Sequence, residues 1–101
     1  GELEVAGLLS ILTGWPVRRK LGAGRKDDTG DIYGVPQTTI QVKNYVDPAR
    51  AIREGLDKLR AQQANAGTPF GALFVRRRGG RWAVVMEPDQ FVALLREATS
   101  E

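Results

Sequence analysis

The chain has 101 residues, of which 42% are hydrophobic and 27% are charged, a composition typical of one soluble globular domain spanning residues 1–101. It contains no cysteine and no histidine, which excludes disulfides, thiolate nucleophiles, Cys/His zinc sites and catalytic triads that use histidine. Any enzymatic chemistry must therefore use carboxylates, amides, lysine, hydroxyls and water. No apolar run is long enough to span a membrane and no signal peptide is visible, so we expect a cytoplasmic protein with no membrane contact. Gly1 indicates a processed or trimmed start.

The net charge of +3 comes from 15 Lys+Arg and 12 Asp+Glu, and the basic residues are clustered. Clustered positive charge on a small domain is the electrostatic footprint of a polyanionic partner, although an isolated cluster is more often a solvated surface. Two clusters in one small chain favour nucleic acid. The first comprises Arg18, Arg19, Lys20, Arg25 and Lys26, and the second comprises Arg76, Arg77, Arg78 and Arg81.

The first predicted element is a helix over residues 2–12, where Val5, Leu8 or Leu9, and Leu12 recur at helical spacing. A strand is predicted from residue 16 to residue 20. The following glycine-rich segment is either a loop that follows a phosphate backbone or a plain connector.

Residues 30–44 predict two strands joined by a turn. If Ile40 and Val42 face a core, Gln41 and Lys43 face the opposite side, because successive side chains of a strand alternate. The rise per residue places the amide and the ammonium about 7 Å apart along one face.

The second half of the chain predicts a long helix, a hairpin and a last helix. Asp47 is the expected N-cap and Pro48 the first residue of a helix that ends near residue 65. Strands are expected over residues 70–75 and 81–86, with a tight glycine turn between them. The last helix follows residue 87, and its predicted buried stripe is Phe91, Leu94 and Leu95.

A carboxylate, further oxygen ligands and a lysine on one sheet face are the parts of a divalent-metal hydrolytic site. Asp31 begins the second strand and can point toward Gln41. The side-chain oxygen of Gln41 and the backbone carbonyl of Val42 are further candidate metal ligands, and Lys43 would hold the attacking water or neutralise charge on the phosphate. A strand with a glutamine and a lysine on its solvated side is a common alternative.

The order of these motifs resembles the PD-(D/E)xK nuclease core, and within it the archaeal-type Holliday junction resolvases and their phage relatives. The resemblance covers nearly the whole chain, and the order of the motifs is more specific than any one of them. The matching stretches are residues 14–19 (GWPVRR), 30–32 (GDI) and 40–44 (IQVKN), followed by the long helix and residues 71–78 and 82–91.

The resemblance implies a restriction-endonuclease-like α/β core with a central mixed five-stranded sheet flanked by helices in the order α-β-β-β-α-β-β-α. It implies a homodimeric endonuclease of DNA recombination and repair that nicks four-way junctions symmetrically with Mg²⁺, for which Mn²⁺ can substitute. Asp31 and Gln41 would be metal ligands and Lys43 the catalytic lysine. The first-helix glutamate would be Glu2, with Glu4 as the second choice. The candidate DNA contacts are Arg18, Arg19, Lys20, Arg25, Lys26 and Asn44.

Gln41 departs from the family pattern, which usually has glutamate at this position. An amide keeps an oxygen ligand but removes a negative charge, so the affinity for a metal should fall unless another carboxylate compensates. Two alternatives therefore stay open. One is a related nuclease that acts on flaps or duplex DNA, and the other is a catalytically silent junction-binding module on the same fold.

Overall fold

The computed structural model describes residues 1–21, 28–44 and 46–100. The order of elements is the predicted one, so the α/β class is confirmed. Arg25 and Lys26 of the first basic cluster lie outside the described residues. The helices are α1 (Glu2–Thr13), α2 (Pro48–Ala66) and α3 (Pro88–Ala98), and the strands are β1 (Arg18–Arg19), β2 (Ile32–Tyr33), β3 (Thr38–Lys43), β4 (Phe70–Arg76) and β5 (Trp82–Val85).

The strands form two sheets in the described part of the chain, so the predicted single five-stranded sheet is not confirmed. β1 and β2 form an antiparallel pair, and β3, β4 and β5 form a mixed sheet with β4 in the middle. β3 runs parallel to β4, from Thr38 opposite Phe70 to Lys43 opposite Val75, and β5 runs antiparallel to β4. A backbone hydrogen bond of 2.8 Å from the Asp31 N–H to the Ile40 carbonyl connects the two sheets.

The chain makes a close turn at the end of β2. Gly34 has a φ of 103°, and a Cβ there would lie 2.8 Å from the carbonyl oxygen of Pro16. The chain therefore crosses closely over Pro16 and turns away after Tyr33, a path that favours glycine.

Helices cover both faces of the three-stranded sheet. On one face, Val5 and Ala6 of α1 join a buried cluster with Ile40, Val42 and Phe74. On the other face, Ala51 and Leu59 of α2 pack against Leu73 and Val75. β4 is buried on both faces, as its apolar sequence predicted.

The boundaries of α2 confirm the predicted capping residues. The Asp47 carboxylate accepts hydrogen bonds from the backbone N–H groups of Ala49 (3.1 Å) and Arg50 (3.3 Å), and Pro48 is the first helical residue. Gly67 ends the helix in the left-handed conformation. Because β3 and β4 are parallel, the chain needs a long crossover between them, and α2 is that crossover.

The predicted burial of α3 is wrong. Phe91, Leu94 and Leu95 are 52%, 43% and 46% exposed, and none of the residues of α3 is buried. Because α1 and α2 already cover the sheet, α3 reaches it mainly through Gln90, whose side-chain oxygen accepts the Gly71 N–H at 2.8 Å. None of the helices in the described ranges is both long enough and apolar enough to cross a membrane.

The packing of α2 predicts a specific cost at Gly55. A Cβ there would lie 2.6 Å and 2.8 Å from the two terminal methyl carbons of Leu73, which is fully buried in the core on this face of the sheet. Overpacking of about 1–3 kcal/mol should exceed the gain in helix propensity of about 1 kcal/mol. We therefore expect Gly55→Ala to lower the free energy of unfolding, measured by chemical denaturation.

Gly7→Ala on α1 is the matched control, because no heavy atom lies within 4 Å of its Cβ position. This variant should raise the free energy of unfolding by up to about 1 kcal/mol. A stabilising effect of both substitutions would contradict the packing of α2 on Leu73.

Candidate active site

Asp31 is held at the edge of β3 that faces away from β4. Its backbone carbonyl accepts the Lys20 N–H at 2.8 Å, and its carboxylate oxygen Oδ2 accepts the Val42 N–H at 2.9 Å. The N–H and C=O of one strand residue point to the same side of the strand. The Asp31 carboxylate and the Val42 carbonyl therefore lie at the same strand edge.

The Asp31 carboxyl titrates in an unfavourable environment for its charge. Burial raises the pKa of Asp31, and the hydrogen bond from the Val42 N–H only partly offsets this. The negative charges of Glu2 and Asp28 raise the pKa of Asp31 further, while Lys58 lowers it. The net shift is upward, chiefly because the carboxyl is buried.

The two glutamates of the first helical turn have different surroundings. Glu4 accepts hydrogen bonds from Arg76 Nη1 (2.8 Å) and Trp82 Nε1 (3.0 Å), and these two partners, Trp82 first, lower the pKa of the Glu4 carboxyl. Glu4 therefore connects α1 to β4 and β5. The negative charge of Glu2, the preferred candidate, contributes instead to the raised pKa of Asp31.

Gln41 is buried, with 2% of its surface exposed, because α2 covers the face of β3 on which it lies. The alternative of a strand with Gln41 on its solvated side is therefore wrong. The Gln41 Nε2 donates to the Val42 carbonyl at 3.1 Å, and the Gln41 Oε1 accepts a hydrogen bond from Gln62 Nε2. The same Gln62 nitrogen also donates to Asp28 Oδ2 at 2.9 Å.

Sequence reasoning missed Gln62, which lies on α2 outside the apolar stripe. The buried positions of α2 are Ala51, Gly55, Leu59 and Gln62, a helical spacing that includes Gln62. That helical spacing could have identified Gln62 as buried, but a polar residue such as glutamine is not expected at a buried position. Asp28, in a segment read as a loop, carried no signal of its own.

Lys43 ends β3 on the same face as Gln41, as the predicted alternation required. Its side chain is partly buried, and its Cγ would lie 3.2 Å from a Cβ at Gly55 of α2. The charge of Lys43 also contributes to a lowered pKa of Glu54, for which the hydrogen bond from Arg50 is the main cause. Lys43 is the residue directly after Val42, whose N–H binds the Asp31 carboxylate.

The basic candidates of β1 divide into surface and structural residues. Arg18 and Arg19 are exposed and line an open depression with Tyr33, whose ring centre lies 5.8 Å from the Arg18 guanidinium carbon. Lys20 Nζ instead donates to the carbonyl oxygen (2.9 Å) and the hydroxyl (2.8 Å) of Thr29. Lys20 thus connects β1 to the residues that precede Asp31.

The second basic cluster lies beyond the carboxyl ends of the parallel strands. Asn44 follows β3 and lines a surface depression together with Val46, Arg77 and Arg78. Asn44 and both arginines are exposed. Because β3 and β4 are parallel and adjacent, their carboxyl ends bring this cluster next to Lys43.

The residues at the β3 edge fit a divalent cation in type and in part of their arrangement. The Asp31 carboxylate and the Val42 carbonyl supply two oxygens at one edge, as oxygen-preferring cations require. Gln41 presents its amide nitrogen, and not its oxygen, toward the Val42 carbonyl. Within the described ranges, no group of three or more His, Cys, Asp or Glu side chains is placed to hold a metal ion.

No protein-family model matches the chain, and no curated protein or solved structure matches it either. Assignment to a nuclease family is therefore a proposal that depends on the residues and their geometry.

The raised pKa of Asp31 predicts a pH-dependent effect on stability. A carboxyl whose pKa is higher in the folded state destabilises the fold once it ionises. Asp31→Asn keeps an oxygen for the Val42 N–H but has no charge, so we expect it to raise the free energy of unfolding at neutral pH. For a partly exposed group the gain should not exceed about 1 kcal/mol.

The increase in the free energy of unfolding caused by Asp31→Asn should be complete above the folded-state pKa of Asp31. It should vanish as the pH falls below the ordinary aspartate range. Denaturation of both proteins across this pH interval measures it. Asp57→Asn, on the exposed side of α2, controls for the loss of one negative charge. Equal effects of the two substitutions would show that the surroundings of Asp31 are not the cause.

Proposed function

We propose that this chain is a divalent-metal-dependent endonuclease that acts on branched DNA and resolves four-way junctions by paired nicks. The observation that carries the proposal is the placement of the Asp31 carboxylate on the Val42 N–H, beside the Val42 carbonyl and directly before Lys43. A carboxylate and a carbonyl at one strand edge, followed in the next position by a lysine, are the kinds of group that phosphodiester hydrolysis uses.

Each residue of the site has a defined task in this proposal. Asp31 and the Val42 carbonyl would hold the cation, with Gln41 as a further ligand and Glu2 acting through water. When bound, the cation would supply an activated water and neutralise charge on the phosphate. Lys43 positions the attacking water and stabilises the negative charge that develops on the phosphate.

Two exposed basic surfaces adjoin this site and support a DNA substrate. Arg18 and Arg19 lie on β1, whose continuation at Lys20 is hydrogen-bonded to the Asp31 backbone. Arg77 and Arg78 lie with Asn44 past the end of β3. Phosphate contacts of this kind position a protein on DNA without reading its sequence.

A homodimer is part of the proposal, because a four-way junction offers two equivalent scissile sites that a two-fold dimer can match. The exposed apolar residues of α3 support it: Phe91, Val92, Leu94 and Leu95 are each 43–52% exposed. Val84 of β5 is 54% exposed as well. Contiguous apolar surface of this kind is typical of association sites.

The catalytically silent junction-binding module is the second candidate. The orientation of Gln41 favours it, because the amide N–H at the Val42 carbonyl occupies an oxygen that a cation would need.

A nuclease that acts on flaps or duplex DNA would use the same site. Competition between a junction and linear duplex distinguishes it from a junction resolvase.

Cleavage of a synthetic four-way junction with Mg²⁺ tests the enzyme proposal. We expect paired symmetric nicks, and we expect Asp31→Ala and Lys43→Ala to reduce the rate about 100-fold or more, as for other groups that stabilise the developing charge. Gln41→Glu should cleave at lower Mg²⁺ concentration, because it adds a negative charge at the site. Rates are measured from end-labelled strands on denaturing gels.

Asp57→Ala is the matched control, since Asp57 is an exposed carboxylate in the middle of α2. Its cleavage rate should equal that of the parent. Cleavage by Asp31→Ala or Lys43→Ala at the parent rate would refute the site. Junction binding without cleavage by both the parent and Gln41→Glu would favour the silent module.

The basic surface predicts a specific salt dependence. Binding that neutralises phosphates has a slope of log affinity against log salt of about −0.9 for each contact. We expect Arg18→Ala/Arg19→Ala to weaken junction binding and to reduce that slope by about 2. Fluorescence anisotropy of a labelled junction over a range of salt concentrations measures both quantities.

Arg60→Ala is the control for this experiment, because Arg60 pairs with Glu87 at 2.9 Å beside α3, away from β1. Its salt slope should match that of the parent. An unchanged slope for the β1 variant would exclude Arg18 and Arg19 from the DNA interface.

A further inference from the structure

The hydrogen-bond chain from Asp28 to Val42 begins at an ionised carboxylate. Burial would raise the pKa of Asp28, but hydrogen bonds from Gln62 and the Gly30 N–H, with the charges of Lys58 and Lys20, lower it overall. Asp28 Oδ1 accepts the Gly30 N–H at 3.0 Å, so its second oxygen is directed at Gln62. An ionised carboxylate can only accept hydrogen bonds.

This property of Asp28 determines the direction of two amides in succession. The Gln62 atom that faces Asp28 must be its nitrogen, because only the nitrogen can donate. The Gln41 atom that faces this nitrogen must then be an oxygen. The other end of the Gln41 amide, which faces the Val42 carbonyl, is therefore its nitrogen.

Both glutamines are almost completely buried, Gln41 at 2% and Gln62 at 1% exposure, so bulk solvent does not compete for these groups. Gln62 Oε1 is a buried atom without a hydrogen-bond partner among the described residues. A buried acceptor without a partner is unfavourable, so this oxygen does not hold the Gln62 amide in its orientation. The orientation is set by the two hydrogen bonds that the Gln62 nitrogen donates.

Reversal of Gln41 has a defined obstacle. If Gln41 turned its oxygen to the edge of β3, its nitrogen would face the nitrogen of Gln62. Gln62 would then have to reverse as well and would place its oxygen against the Asp28 carboxylate. Two acceptors in contact are repulsive, so Asp28 opposes the direction of Gln41 that a cation needs.

We propose that Asp28 and Gln62 are positioning residues that set the direction of the Gln41 amide and thereby lower the affinity of the Asp31–Val42 edge for a divalent cation. This inference depends on the cation site of the proposed function. A carboxylate has two equivalent oxygens and no direction to be set. The influence of Gln62 should therefore disappear when residue 41 is a glutamate.

The test is a double-mutant cycle on Mn²⁺ affinity, measured from the EPR signal of free Mn²⁺. The four proteins are the parent, Gln62→Met, Gln41→Glu and the double variant. Methionine has nearly the length of glutamine but cannot donate the hydrogen bond. We expect Gln62→Met to tighten Mn²⁺ binding about three- to tenfold, the coupling typical of residues in one hydrogen-bond network. In the Gln41→Glu background the same substitution should have little effect.

The Mn²⁺ affinities of the four proteins can support or overturn the proposal. Tighter binding in the parent background alone supports the proposal. Unchanged affinity of a folded Gln62→Met, or the same change in both backgrounds, overturns the positioning role and leaves the cation site intact. The absence of Mn²⁺ binding by all four proteins overturns the cation site, and both proposals with it.

A measurement on the parent protein decides the matter if Gln62→Met does not fold. In ¹H–¹⁵N spectra, the side-chain amide signals of Gln41 and Gln62 should shift together when Mg²⁺ is added. The pair Gln63 and Gln90, joined by an amide hydrogen bond of 3.1 Å, is the internal control and should not shift. A shift of Gln41 without Gln62 would overturn the proposal.

Discussion

The hydrogen bond from the Val42 N–H to the Asp31 carboxylate is the contact on which the site depends. It takes the place of the next rung of a ladder between β2 and β3, because the preceding rung is the backbone bond from Asp31 to Ile40. One interaction therefore ends the pairing of the two sheets and fixes a carboxylate at the strand edge. The same geometry leaves the Val42 carbonyl beside that carboxylate.

Burial of polar groups under α2 gives this part of the fold its specificity. Thr39 and Gln41 are each 2% exposed on a strand whose neighbours are apolar, so each needs a partner from outside the strand. Thr39 shares a hydroxyl hydrogen bond of 2.6 Å with Thr68, and Gln41 bonds to Gln62. These pairs connect β3 to α2 and to the residue that follows its C-cap.

The elements that could be predicted from the sequence are those with local causes. Asp47 caps α2 and Gly79 and Gly80, each with a φ of 80°, turn the hairpin, because capping and turn geometry involve neighbouring residues. The close approach of Gly34 to Pro16 and the hydrogen bond of Gln62 to an aspartate 34 residues away have no such local cause. Contacts between distant residues leave no periodic signal, so composition and spacing could not show them.

Gln41 differs from a glutamate in two physical respects, charge and direction. The difference in charge is evident from the sequence, since an amide lacks the negative charge that attracts a cation. Direction enters as well, because an amide has one accepting end and, in this buried network, its neighbours decide where that end points. At the proposed cation site, a glutamine is therefore not simply a weaker ligand than a glutamate. Its contribution depends on Asp28, a residue that does not touch it.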